Sequence, residues 1–159
     1  ISSARRIYII GVRSAAAIAN FMYFYFDLIF ENVKLVTAST TSDVVESLLR
    51  VGEGDVVIGI SFPRYSSRTV QAMSFAKSRG AVTVAITDSE ASPLAAISNF
   101  TLKARSDMAS FADSLVAPLS LVNAILVAVS RRKNDDLSQT FRTLEQIWDR
   151  YGVYEKVQE

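Results

Sequence analysis

Apolar residues along this 159-residue chain fall into two alternating kinds of run. Short β-branched and aliphatic blocks occupy 7–10, 33–37, 55–60, 81–87 and 100–103. Between them lie longer stretches with helical spacing: about 14–30, 43–51 with Ser42 as its cap, 67–78 closed by Gly80, and a short one at 93–97. A long apolar helix is expected over 111–131. A last one over 135–151 carries Leu137, Phe141, Leu144, Trp148 and Tyr151 as one stripe, with Gly152 as its stop. The strand blocks are apolar throughout instead of alternating, as required when helices cover both faces of a parallel sheet. The pattern predicts an α/β protein: a three-layer α/β/α sandwich around a five-stranded parallel sheet, doubly wound in the order 2-1-3-4-5. It reads as one domain spanning 1–159, with no internal repeat or linker.

The run Phe21-Met22-Tyr23-Phe24-Tyr25-Phe26 adds one requirement. Six large apolar residues in succession surround a helix on every side, so more than one face needs cover. A second subunit would supply it, and so would a C-terminal helix of the same chain; the expectation is a homo-oligomer, dimer or tetramer.

Composition narrows the chemistry. There is no cysteine and no histidine, which removes thiolate chemistry, disulfides, the commonest metal ligand and the side chain that shuttles protons most readily near neutral pH. No cofactor and no metal are expected. Net charge is +1 with the basic residues scattered, which argues against direct contact with DNA. The longest apolar stretch, 115–129, contains Pro118, Ser120 and Asn123 and is too short to span about 30 Å of bilayer. The chain starts at Ile1 and runs at once into a strand, the look of a domain preceded by something else, and it reads as soluble.

A doubly wound sheet binds ligands at the carboxyl ends of its strands, where the strand order reverses. In the predicted order that point lies between the first and third strands. The first is followed by Gly11-Val12-Arg13-Ser14-Ala15, the third by Ser61-Phe62-Pro63-Arg64-Tyr65-Ser66-Ser67-Arg68-Thr69. Both segments concentrate hydroxyls and arginines next to helix N-termini, whose unpaired amides and partial positive charge suit a phosphate. The candidate ligand-binding residues are Gly11, Arg13, Ser14, Ser61, Arg64, Ser66 and Ser67; no catalytic residue is assigned. Against this stands the plain alternative that Gly11 is an ordinary strand-to-helix turn and that Ser66 or Ser67 merely caps the third helix.

These loops resemble those of a SIS (sugar isomerase) domain, specifically the C-terminal effector domain of RpiR-type bacterial transcription regulators. The similarity runs from Ile7 to about Arg132. Gly11-Val12-Arg13-Ser14 is similar to the family's Gly-x-Gly-x-Ser-like turn, with Arg13 replacing the second glycine. Ser61 matches the first serine of a Ser-x-Ser-Gly-x-Thr-like loop, whose serine-glycine centre is here Pro63-Arg64-Tyr65-Ser66. Ala85-Ile86-Thr87-Asp88 with Ser92-Pro93-Leu94-Ala95 resembles the family's fourth strand and short helix. The segment from Phe111 through Asp113 and Pro118 to Leu119 resembles the start of its last core helix. The resemblance implies a cytoplasmic regulator, homo-oligomeric, with a phosphorylated sugar as effector. DNA would be contacted only through an N-terminal helix-turn-helix domain that this chain does not contain. The added arginines favour an acidic sugar or a ligand with two anionic groups.

An isomerase is the competing reading. Aldose–ketose interconversion needs a base to move a proton between neighbouring carbons and an acid to open the ring. The two loops hold no carboxylate, and Asp43, Asp88 and Glu90 belong to other strand ends. A domain that only dimerises is the third possibility.

Overall fold

A computed structural model describes residues 1–37, 40–107 and 111–155, the side chains of 41 and 134–138 excepted. Among these residues the apolar blocks form β1 (Ile7–Gly11), β2 (Val33–Val36), β3 (Val56–Ile60), β4 (Val82–Thr87) and β5 (Phe100–Lys103). They pair in parallel in the order β2-β1-β3-β4-β5, as the pattern of the sequence predicts. The helices are α1 (Ala15–Ile29), α2 (Thr41–Ser47), α3 (Ser67–Ser78), α4 (Pro93–Ile97), α5 (Val116–Arg132) and α6 (Asn134–Tyr151).

Successive strand residues face opposite sides of a sheet, and here both sides are buried. On one side Ile7 and Ile9 of β1, Ile58 and Ile60 of β3 and Ile86 of β4 pack against Ile18, Met22 and Phe26 of α1 and Val122 and Val129 of α5. On the other, Tyr8, Ile10 and Val57 meet Val44 and Leu48 from the α2 segment and Ala72, Met73 and Ala76 of α3. The run at 21–26 is therefore only partly core. Met22 and Phe26 are fully buried and α5 lies along α1, while Phe24 keeps 60% of its surface exposed.

The second helix ends at Ser47, short of the expected 51, and two helix starts differ from the sequence-based expectation, each for a local reason. The second helix starts at Thr41, capped by Thr40 and not Ser42. The Thr40 hydroxyl accepts from the Asp43 amide at 3.2 Å, and the Asp43 carboxylate accepts from the Thr40 amide at 2.6 Å. The fifth helix starts at Val116, not 111. A helix reaching back to 111 would put Pro118 in its interior, where the ring clashes with the carbonyl four residues earlier; at the third helical position that conflict is absent. Residues 111–115 are thus outside the helix, and this matters for the cleft described below. At the other end of the chain Gly152, with φ of 60°, stops α6 as expected. Of the predicted α6 stripe, Leu144 and Trp148 are half-buried, Phe141 and Tyr151 are exposed, and Leu137 lies outside the described side chains.

The amino-terminal edge of the sheet is pinned by one buried carboxylate. Asp55 accepts from Arg5 Nε and Nη2 at 3.0 and 3.2 Å, from Arg6 Nε and Nη2 at 3.3 and 3.1 Å, and from the Gly52 amide at 3.0 Å. Burial by itself pushes this carboxyl's pKa up, but the bonds from Arg5, Arg6 and Gly52 outweigh it and hold it below the usual value. The carboxyl ends of the strands are left for other work.

Candidate functional site

The first wall of the cleft is the β1–α1 turn. Gly11 closes β1 so tightly against α1 that a Cβ there would lie 2.6 Å from the Ala15 carbonyl oxygen and 3.1 Å from Ala19 Cβ. Arg13 then takes φ of 58°, a left-handed backbone that costs an L-residue with a Cβ roughly 1–2 kcal/mol relative to the right-handed one. Ser14 sits at the N-cap of α1 yet makes no side-chain cap bond. Its hydroxyl instead donates to Asp113 Oδ2 at 2.6 Å.

The second wall is the loop after β3. The Ser61 amide donates to the Ile86 carbonyl, carrying the β3–β4 ladder one residue past the strand. The buried Ser61 Oγ accepts from the Ser66 amide at 3.0 Å, which folds the intervening residues into a compact turn. At the apex Arg64 adopts φ of 64°, a second arginine in the left-handed region. Tyr65 ties the turn to β4 by donating to Asp88 Oδ1 at 2.8 Å, and Thr87 Oγ1 donates to the same oxygen at 3.2 Å. Burial first, and then the bond to Asp88, raise the Tyr65 phenol pKa, so it remains a donor at neutral pH. Ser66 caps α3, its hydroxyl accepting from the Thr69 amide at 3.4 Å.

Between the walls lies a cleft of about 180 Å³. Five of the seven residues singled out in the sequence line it: Arg13, Ser14, Ser61, Arg64 and Ser66. Gly11 is buried and not part of the lining, and its close approach to α1 leaves no room for a Cβ. Ser67 is the first residue of α3, exposed, and is not part of the lining. The phosphate-friendly features survive this sorting: two hydroxyls at the start of a twelve-residue helix, with two guanidinium groups at the mouth. Thr69, in the first turn of α3, is buried with a hydroxyl oxygen that has no hydrogen-bond partner.

Besides Val12, Ala15, Phe62 and Pro63 of the same two loops, sequence reasoning missed a lining residue from outside them. Asp113 reaches the cleft from the non-helical stretch ahead of α5, with its side chain only 17% exposed, accepting from Ser14 and facing Arg64 Nη2 at 3.8 Å. The cleft therefore does contain a carboxylate, contrary to what its two loops suggest. The signal that finds it is Pro118, which keeps the preceding residues out of the helix and lets them cross the strand ends. The carboxylates the sequence offered instead are engaged elsewhere: Asp43 in the α2 cap, Asp88 under Tyr65, and Glu90 with Lys103 at 3.0 Å. Among the described residues no group of three or more acidic side chains is placed to hold a metal ion, and no helix is long and apolar enough to cross a membrane.

A parallel sheet in this order, with a polar cleft at its β1/β3 switch point, defines a doubly wound α/β domain of the kind that holds a small ligand at its strand ends. More particularly, the chain belongs to the SIS domain family, whose model matches residues 1–128. It superposes with a TM-score of 0.85 on the sugar isomerase domain of an RpiR transcription factor from Sphaerobacter thermophilus, at 27% identity over 92% of this chain and 81% of that one. The NanR protein of Vibrio vulnificus, complexed with ManNAc-6P, has the same fold, with a TM-score of 0.78 at 19% identity over 94% of this chain and 57% of that one. An HTH-type transcriptional regulator of Caldanaerobacter subterraneus subsp. tengcongensis is 27% identical over 141 residues; that match takes in 86% of this chain and 49% of the relative. The chain thus spans about half the length of that regulator.

Proposed function

We propose that this domain binds a phosphorylated sugar or sugar acid without turning it over, and that it serves as the effector-sensing domain of a transcription regulator. One observation carries the reading: the Ser61 and Ser66 hydroxyls and the start of α3 meet Arg13 and Arg64 across a single cleft at the switch point. Ser61 and Ser66 each accept a backbone amide through Oγ, so each keeps its own proton to donate to a phosphate oxygen. The start of α3 adds partial positive charge, and the two guanidinium groups add full charge at the rim. Two arginines held in left-handed backbone conformations beside one cleft are the kind of strain that concentrates at ligand sites. The relatives that are transcription regulators support the regulatory half of the reading. It further implies an attached helix-turn-helix domain, work in the cytoplasm, and a dimer or tetramer whose contacts include the exposed aromatic face of α1.

Calorimetry with the phosphorylated and unphosphorylated forms of one sugar tests it. A charge-assisted hydrogen bond contributes roughly 1.5–3 kcal/mol, so Ser61→Ala or Ser66→Ala should weaken binding of the phosphorylated form by about tenfold or more while the fold persists. Equal affinity for the two forms, or unchanged affinity in both variants, would place the ligand elsewhere.

A further inference from the structure

We propose that Tyr65 and Asp88, neither of which lines the cleft, are positioning residues whose bond to each other holds Arg64 and Ser66 in the arrangement that receives an anion. This rests on the phosphosugar reading of the cleft and deepens it. The turn after β3 is fastened to the end of β4 at two points. At its start the Ser61 amide donates to the Ile86 carbonyl at 3.1 Å. Near its end the Tyr65 hydroxyl donates to Asp88 Oδ1 at 2.8 Å, two residues further along the same chain. Ile86 and Thr87 are fully buried, so the end of β4 is a fixed anchor. Thr87 Oγ1 donates to the same carboxylate oxygen at 3.2 Å and orients it toward its task. Within the turn, Ser61 Oγ accepts from the Ser66 amide at 3.0 Å and completes the frame.

What needs holding is the apex. Arg64 has φ of 64°, and a residue with a Cβ stays in that region only where its surroundings over-determine it. Tyr65 stands directly between Arg64 and Ser66, the N-cap of α3, so one tie at Tyr65 restrains both neighbours. The phenol pKa, raised by burial and then by the bond to Asp88, keeps this donor protonated at neutral pH. Without the tie the turn spends part of its time relaxed, and apparent affinity falls by the fraction of time the competent form is lost. The charge of Asp88 makes the sign diagnostic. By Coulomb interaction alone, removing an acid favours an anionic ligand; a positioning role predicts the opposite.

Calorimetry with inorganic phosphate, hexose 6-phosphates and pentose 5-phosphates supplies the test, at a temperature where circular dichroism shows each protein folded. Tyr65→Phe and Asp88→Ala should each weaken binding by about three- to tenfold, the population shift that loss of one such bond produces. The double variant should bind no more weakly than the weaker single one, because both changes remove the same interaction. Asp88→Asn, which keeps the acceptor oxygen, should recover most of the affinity that Asp88→Ala loses. A purely structural role would lower the unfolding midpoint of Tyr65→Phe and leave its affinity unchanged, and that result would overturn the proposal. So would losses that add in the double variant, or tighter binding by Asp88→Ala. If Asp88→Ala does not fold, Tyr65→Phe and Asp88→Asn decide the matter: weakened binding in the first and near wild-type binding in the second are expected, and any other combination overturns it. Failure of the wild-type chain to bind inorganic phosphate and every sugar phosphate would overturn the phosphosugar reading itself, and this inference with it.

Discussion

Replacing Gly11 with alanine separates packing from ligand contact at the base of the cleft. The added Cβ would lie 2.6 Å from the Ala15 carbonyl oxygen, 3.0 Å from its carbon and 3.1 Å from Ala19 Cβ. Ordinary non-bonded contacts of this kind sit near 3.5 Å, so the overlap is roughly 0.9 Å, and its principal partner is helix backbone, which has no rotamer to change. Overpacking typically costs about 1–3 kcal/mol, and a backbone partner puts this case at the upper end, about 3 kcal/mol. At about 2–4 °C per kcal/mol for a chain of this size, the midpoint of thermal unfolding should fall by about 6–12 °C. Gly59→Ala provides an internal control. A Cβ there would come equally close, 2.7 Å, but to the Cγ and Sδ of Met73, a flexible side chain that can shift. Its loss should be about half as large. Scanning calorimetry on the three proteins gives the comparison, with phosphate affinity measured in parallel below the transition. An unfolding midpoint for Gly11→Ala within about 1 °C of wild type, together with weakened phosphate binding, would refute the packing argument and return Gly11 to direct ligand contact.

Two further outcomes follow from other parts of the molecule. Asp55→Ala removes the acceptor shared by Arg5, Arg6 and Gly52 and should cost about 2–3 kcal/mol at neutral pH; that is less than a fully buried pair would lose, because the arginine side chains are 58% and 31% exposed and can rehydrate. Since the carboxyl's folded pKa is depressed, its contribution is fully present above the unfolded value of about 3.9 and is lost as pH falls through the lower folded value; the gap between the denaturant midpoints of the two proteins should therefore narrow as pH falls below the unfolded value, and a gap that does not narrow in acid would contradict the ion-pair origin. Incubation with hexose and pentose phosphates, followed by NMR, should show no aldose–ketose interconversion, because the cleft carboxylate Asp113 is engaged with Ser14 and there is no histidine to act beside it; turnover above background that Asp113→Asn abolishes would establish the isomerase reading instead.

The sequence by itself determined the layered fold, because strand and helix identity depend on local spacing. Blocks such as 7–10 and 55–60 that are apolar on both pleat faces leave a parallel, doubly covered sheet as the solution, and the short connections between them restrict its topology. It also singled out five of the residues that line the cleft, since the loops after β1 and β3 must end side by side once the order is β2-β1-β3-β4-β5. What it did not determine were meetings between residues far apart in the chain and the use to which a local residue is put. Ser14 reads as a ligand-binding hydroxyl, yet in the folded chain its proton goes to Asp113, 99 residues away. Gly11 reads either as a ligand-binding residue or as an ordinary strand-to-helix turn, and only the folded chain shows how closely Ala15 and Ala19 of α1 approach it. The added arginines read as a call for a second anion, yet Arg64 Nη2 lies 3.8 Å from the carboxylate of Asp113, a residue the two loops do not contain. Hydrogen-bond commitment and local charge are properties of neighbours in space. Periodicity along a chain carries the faces of helices and strands, but only tertiary packing decides which side chains come to share one cleft.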